Sequence, residues 1–139
     1  MKAVEIRPIV FSDGAVLKIA EVKAGFPSPA ADFTGETIDL NRELIRHPST
    51  TFCARARGTS MKDAGISDGD LLIIDRSLEP EDGRIAVCYI DGEFTLKRIR
   101  KGRGCLWLVP ANPDYKPIKV TPENDFTIWG ILTHVIKSF

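Results

Sequence analysis

Residues 84–100 read RIAVCYIDGEFTLKRIR, and this stretch decides the fold class. Its two halves, Arg84–Ile90 and Glu93–Arg100, are rich in β-branched and aromatic side chains, as strands usually are. Between them stands Asp91-Gly92, a pair typical of tight two-residue hairpin turns. We therefore predict an antiparallel hairpin here.

Similar signals extend outward from this hairpin and predict a mostly β body. Further strand-like runs are Thr51–Arg57, Asp70–Asp75, Cys105–Val109 and Phe126–Ile136. One helix is predicted over residues 39–47, where Asp39 can cap the start and Pro48 ends it. The body should contain antiparallel strands with one or two short helices.

The first part of the chain has a different character. Two apolar-containing runs, Val4–Phe11 and Ala15–Val22, are followed by the segment AGFPSPAA at 24–31. Two prolines and a glycine make this segment irregular, accessible backbone rather than a central strand. We predict an extended N-terminal arm over residues 1–38 and a folded body over residues 39–139.

Composition narrows the class of protein. The chain has 139 residues, 19 basic and 19 acidic, so its formal net charge is zero and sequence-specific DNA binding is not expected. Three cysteines without C-x-x-C spacing argue against a disulfide framework, and neither a metal nor a cofactor is expected. No apolar run approaches the roughly 20 residues of a membrane span. We expect a cytoplasmic protein.

The zero net charge hides a sorted pattern. Residues 63–93 carry nine acidic and two basic side chains, whereas residues 94–119 carry seven basic and one acidic. These blocks meet near the Asp91-Gly92 turn, so antiparallel pairing is expected to place opposite charges side by side.

Ser60 lies where a strand should lead into a helical turn, in the sequence GTSM at 58–61. One interpretation is that Ser60 caps the turn, with Asp63 completing a partial capping box. The other is that the turn presents Ser60 as a nucleophile, with the backbone N–H groups of Thr59 and Ser60 facing a developing oxyanion.

A serine nucleophile needs a base, and neither His47 nor His134 offers an obvious triad pattern. A lysine can serve if it is neutral, which at pH 7 means lowering a pKa of about 10.4 to about 7, at roughly 4–5 kcal/mol. Lys97 is one candidate, because strand alternation puts it on the face of Thr95 and Ile99. The alternative is that Lys97 belongs to a solvated basic hairpin. Both interpretations stay open on local pattern alone.

Five motifs, taken in order and spacing, resemble those of the UmuD proteins. They are AGFPSPAAD at 24–32, IDLN at 38–41, GTSM at 58–61, GISDGDLLI at 65–73 and DGEFTLK at 91–97. UmuD proteins are self-cleaving SOS mutagenesis proteins related to the protease domain of LexA repressors. The likeness covers nearly the whole chain after residue 24.

The resemblance implies a LexA-like protease domain with Ser60 as nucleophile, Lys97 as neutral general base and Ala24–Gly25 as the scissile bond. Some members have Cys-Gly at that bond, whereas Ala-Gly is the pair usual in LexA. The resemblance further implies a homodimer and stimulation of cleavage by a RecA–single-stranded-DNA filament. It also implies a processed subunit that joins a UmuC-type Y-family polymerase for translesion synthesis.

Three other classes of protein share part of this sequence pattern. A non-catalytic module that regulates a Y-family polymerase through its surface is the main alternative. A signal-peptidase-like enzyme also pairs a Ser-Met motif with lysine, but no membrane anchor is apparent. A LexA-type repressor would need a helix-turn-helix domain, for which 24 to 38 residues are too few.

Overall fold

The computed structural model describes residues 4–8, 17–20 and 33–139 of the chain. These residues fall into two compact units. One consists of the strand β1 (Val4–Pro8) and residues 47–139, and the other of residues 17–20 and 33–46. No helix in the described part of the chain is long and apolar enough to cross a membrane.

An eight-stranded antiparallel sheet forms the first unit. Its strands follow the spatial order β1-β4-β5-β10-β6-β7-β8-β9, and each neighbouring pair is antiparallel. Besides β1, they are β4 (Thr51–Ala56), β5 (Leu71–Asp75), β6 (Ile85–Ile90), β7 (Glu93–Gly102), β8 (Cys105–Val109), β9 (Ile118–Val120) and β10 (Phe126–Ile136). The predicted mostly β, antiparallel fold class is confirmed.

The predicted hairpin is present as β6 and β7. Ile90 pairs with Glu93, and the two residues between them have positive φ angles, 47° at Asp91 and 90° at Gly92. Positive φ at both turn positions is what a two-residue turn needs to match the twist of the flanking strands. The strand β7 runs to Gly102, two residues beyond its predicted end.

Strand β9 was not predicted. It spans only three residues, Ile118–Val120, and stands between Pro117 and Pro122. A three-residue run is too short to show an alternating pattern. It is held instead by pairing with β8, which the local sequence does not reveal.

The second unit contains the antiparallel pair β2 (Leu17–Ala20) and β3 (Phe33–Ile38), followed by the helix α1 (Leu40–Leu44). Asp39 caps α1 by accepting a hydrogen bond from the Asn41 N–H. The helix ends three residues before the predicted position 47. Ile45 already has extended geometry, with a φ of −119° and a ψ of 102°, so the helix ends before the residue that Pro48 restricts.

Apolar side chains of the large sheet and of the loop between β4 and β5 form two buried clusters. The first contains Ala54, Ala56, Met61, Ile66, Leu72, Ile74, Val87 and Leu96, and the second contains Ala86, Cys88, Ile99, Leu108 and Ile131. Trp129 packs against the first cluster. Trp107 does not, since it is 37% exposed while Leu108 takes the inward position on β8.

Two sequence predictions, the irregular segment with its scissile bond and the N-terminal arm over residues 1–38, fall wholly or partly outside the described residues. The irregular segment 24–31 and the Ala24–Gly25 bond lie there entirely. Within the described part, β1 pairs with β4 in the large sheet. The division of the chain between residues 38 and 39 stays a prediction.

Candidate active site

Ser60 occupies a turn between β4 and a short 3-10 helix, Lys62–Ala64. Gly58 enters this turn with a φ of 89°, a conformation that favours glycine, and its N–H donates to Asp68 Oδ1 at 2.8 Å. The 3-10 helix begins after Met61, which makes no side-chain cap. The interpretation of Ser60 as a helix cap is therefore wrong.

The Ser60 hydroxyl lies beside the amine of Lys97. Ser60 Oγ and Lys97 Nζ are 3.2 Å apart, although the two residues are separated by 37 positions in sequence. Lys97 Nζ also lies 2.7 Å from Thr95 Oγ1 and 3.1 Å from the carbonyl oxygen of Leu96. The structure thus brings the two sequence-predicted side chains into hydrogen-bond contact.

Lys97 is buried in the sheet. Its side chain is on the strand face that also carries Ile99, and it pairs with Ala86 of β6. Lys97 is only 6% exposed, so it is not part of a solvated basic hairpin. That description fits Arg100, Lys101 and Arg103, which are exposed.

Burial lowers the pKa of Lys97, because removal of water penalises the ammonium form. The Cys88 thiol acts in the opposite direction, but burial raises the pKa of Cys88 itself to about 12, so this thiol is neutral at pH 7. Among the described residues, no carboxylate lies within ion-pair distance of Lys97. These surroundings favour the neutral amine more than water does, and it is the neutral amine that can accept a hydroxyl proton.

The adjacent residue Arg98 is not a cause of the lowered pKa of Lys97. Arg98 Nη1 donates to the carbonyl oxygen of Gly83 at 2.6 Å. Desolvation, and not repulsion from basic neighbours, is the cause that the structure gives for the lowered pKa of Lys97.

The backbone N–H groups of Thr59 and Ser60 have no hydrogen-bond partner within the described ranges of the chain. The N–H groups of Gly58 and Lys62 are engaged, with Asp68 and with the Thr59 carbonyl, whereas the Met61 N–H also has no partner among the described residues. Two free donors beside a serine hydroxyl are the arrangement that an oxyanion requires.

A second loop, residues 110–115, contacts the Ser60 turn and was not anticipated. Asn112 is 5% exposed, and its Nδ2 donates to the Thr59 carbonyl oxygen at 2.8 Å. The Asp63 N–H donates to the carbonyl oxygen of Ala111 at 2.8 Å. The pair Asn112-Pro113 signals a turn, but no local pattern tells that its partner is 53 residues away.

A separate Ser-His-Asp grouping exists near the start of β4, and it does not have the order of a triad. His47 Nδ1 lies 2.5 Å from Asp75 Oδ2 and 3.3 Å from Ser77 Oγ. A triad needs serine and aspartate on opposite ring nitrogens, whereas here both approach Nδ1. Burial raises the pKa of Asp75, but hydrogen bonds from His47, Ser77 and Thr50 outweigh it and bring the value to about 2.

No group of three or more His, Cys, Asp or Glu side chains in the described part of the chain is arranged to hold a metal ion.

These features define a class: an antiparallel β protein in which a serine hydroxyl adjoins a buried lysine amine. A family model described as peptidase S24-like matches residues 16–133, and the chain belongs to this family.

Several curated proteins are similar to this chain. ImpA of Escherichia coli is 45% identical over 115 residues, which cover 82% of this chain and 77% of ImpA. MucA of Salmonella typhimurium is 42% identical over 118 residues, 84% of this chain and 80% of MucA. A LexA repressor of Paracidovorax citrulli is 38% identical over 120 residues, 86% of this chain and 53% of the repressor. The chain is therefore a serine protease of the LexA/UmuD kind, and the resemblance found in the sequence is confirmed.

Proposed function

We propose that this protein cleaves its own Ala24–Gly25 bond, with Ser60 as the nucleophile and Lys97 as the general base. The observation that carries the proposal is the 3.2 Å contact between Ser60 Oγ and the amine of Lys97, a residue that is 6% exposed. A serine hydroxyl is a weak nucleophile until a base takes its proton. A desolvated lysine is able to do so because its pKa is lowered.

The reaction has two halves. Neutral Lys97 Nζ takes the hydroxyl proton while Ser60 Oγ attacks the carbonyl carbon of Ala24, and the N–H groups of Thr59 and Ser60 stabilise the resulting oxyanion. The C–N bond then breaks, and the Gly25 amine leaves with the proton held by Lys97. Water, activated by Lys97, hydrolyses the ester on Ser60 and releases residues 1–24 from residues 25–139.

The biological role that fits this reaction is processing in the SOS response. We propose that a RecA–single-stranded-DNA filament stimulates cleavage in the cytoplasm. The shortened chain then acts as a homodimer that joins a UmuC-type Y-family polymerase for translesion synthesis. The resemblance to UmuD proteins supports this role, as does membership of the peptidase S24-like family.

The test is the mass of the purified chain after incubation at alkaline pH and, separately, with RecA filament. Wild type should yield two fragments that divide at Ala24–Gly25, while Ser60→Ala and Lys97→Ala should remain intact. Ser77→Ala and Lys101→Ala serve as matched controls, since they change the same residue types away from the site, and should be cut like wild type.

Cleavage that survives both Ser60→Ala and Lys97→Ala would rule out the mechanism. A wild-type chain that stays intact under every condition but still binds the polymerase would instead identify a non-catalytic regulatory module.

A further inference from the structure

Asn112 contacts the peptide unit that carries the Ser60 N–H. Its Nδ2 donates to the Thr59 carbonyl oxygen at 2.8 Å, and the Lys62 N–H donates to the same oxygen at 3.2 Å. In a trans peptide the carbonyl and the following N–H lie in one plane and point in opposite directions. Two donors that fix the Thr59 oxygen therefore also fix the direction of the Ser60 N–H.

The side chain of Asn112 is itself held in place. Its Oδ1 accepts a hydrogen bond from the Asp114 N–H at 2.9 Å, so both ends of the amide are engaged. At 5% exposure it has little access to water. A buried amide with both ends bonded is a rigid support, because leaving either end unpaired costs about 1–3 kcal/mol.

The Ser60 N–H points away from this support and has no partner among the described residues. The turn is half-buried and Thr59 is exposed, so this donor beside the Ser60 hydroxyl is accessible to a ligand that accepts hydrogen bonds. The negative oxygen of a tetrahedral intermediate on Ser60 is such a ligand.

We propose that Asn112 is a positioning residue for the oxyanion site: through the Thr59 carbonyl, it aims the Ser60 N–H at the oxygen that becomes negative when Ser60 attacks. This inference rests on the proposed function. Asn112 forms no hydrogen bond with Ser60 Oγ or Lys97 Nζ, so it acts on the stabilisation of the intermediate and leaves proton transfer to Lys97 unchanged.

The experiment measures the rate of self-cleavage against pH for Asn112→Asp and Asn112→Ser. Both side chains retain an oxygen that can accept from the Asp114 N–H, and neither has an amide to donate to Thr59. A misplaced donor costs about 10²-fold in rate, so the plateau rate should fall by about 10²-fold. The pH midpoint should stay at the wild-type value, because the surroundings of Lys97 are unchanged.

Asn124 offers a matched control. Its Oδ1 accepts from the Thr121 N–H and its Nδ2 donates to Asp91 Oδ2, so it supports a turn in the same manner at another place. Asn124→Asp and Asn124→Ser should cleave at the wild-type rate. Rates are divided by the folded fraction, measured by circular dichroism at the assay temperature, so that a loss of folding is not counted as a loss of catalysis.

Either Asn112 variant cleaving at the wild-type rate would overturn the inference while the proposed function stands. A shifted pH midpoint would overturn it as well, since that would mean Asn112 acts on Lys97. A wild-type chain that never cleaves, or cleavage that persists in Ser60→Ala, refutes the proposed function and the inference together.

Discussion

Replacing Lys97 with methionine should remove a pH-dependent cost to folding while abolishing cleavage. Lys97 is 6% exposed, and burial lowers its pKa. The side chain must therefore give up its proton or be buried as a cation, and either course costs free energy at pH 7. Methionine has a similar length and nothing to ionise, so Lys97→Met removes this cost.

The magnitude follows from proton linkage. Between the folded pKa of Lys97 and its unfolded value of about 10.4, the unfolded chain holds one more proton than the folded chain, so stability rises by about 1.4 kcal/mol per pH unit. Below the folded pKa the full penalty remains, and above about pH 10.4 it is absent. The stabilisation by Lys97→Met should thus be largest at low and neutral pH and should shrink as the pH rises.

Lys97→Met also lowers stability by an amount that does not depend on pH. Methionine cannot donate to Thr95 Oγ1 or to the Leu96 carbonyl, which the amine reaches at 2.7 and 3.1 Å. Losing these bonds costs about 1–3 kcal/mol at every pH. The burial of the lysine is therefore reported by how the difference in unfolding free energy between the chains with and without Lys97→Met changes with pH, and not by the absolute size of that difference.

The assay is denaturant unfolding at a series of pH values from 7 to 10.5. Ser60→Ala is compared with Ser60→Ala/Lys97→Met, because the serine change keeps the chain uncut at alkaline pH. Lys101→Met in the same background is the control, since Lys101 is exposed and its replacement should have no effect that varies with pH. The pH at which the stability difference begins to shrink should coincide with the pH midpoint of cleavage by the wild type.

A stability difference that stays constant over this pH range would refute the reasoning. It would mean that Lys97 keeps its ordinary pKa in the folded chain, and Lys97 would then be a cation unable to accept the proton of Ser60 at neutral pH.

Two further predictions concern stability away from the site. Burial raises the pKa of Asp75, yet hydrogen bonds, led by the one from His47, lower it overall to about 2. Asp75 therefore stabilises the fold above its unfolded pKa of about 3.9. This contribution disappears as the pH falls toward 2. Asp75→Asn should cost about 2 kcal/mol at pH 7 and make urea unfolding less sensitive to pH between 5 and 2; equal stability at pH 7 would contradict this. Gly130→Ala should lower the free energy of unfolding by about 1–3 kcal/mol, because the added Cβ would lie 2.6 Å from Ile74 Cγ2. The control Thr127→Ala, at an exposed position of the same strand, should lower it by less than about 0.5 kcal/mol. Equal unfolding midpoints for the two variants would refute the clash.

The parts of the fold that could be predicted are those encoded by neighbouring residues. The β6–β7 hairpin was predicted because Asp91-Gly92 carries its own turn geometry, and the contact between Ser60 and Lys97 was expected from motif resemblance. The contact between Asn112 and Thr59 could not be predicted, since the two residues are 53 positions apart and the contact exists only after two loops have met.

The sorted charges show the same limit and also explain how Lys97 can be neutral. Acidic and basic blocks were expected to pair across the hairpin, but this is wrong: the basic strand β7 pairs with apolar residues of β6, Ile85 with Arg98 and Ala86 with Lys97. Carboxylates of the acidic block find other partners: Asp68 and Asp82 accept from the backbone N–H groups of Gly58 and Lys101, and Asp70 pairs with Lys137. Aspartates occupied at turns are not available beside the amine. A charge pattern along a chain therefore predicts ion pairs poorly, and the lack of such a pair at Lys97 among the described residues is consistent with its proposed role as a base.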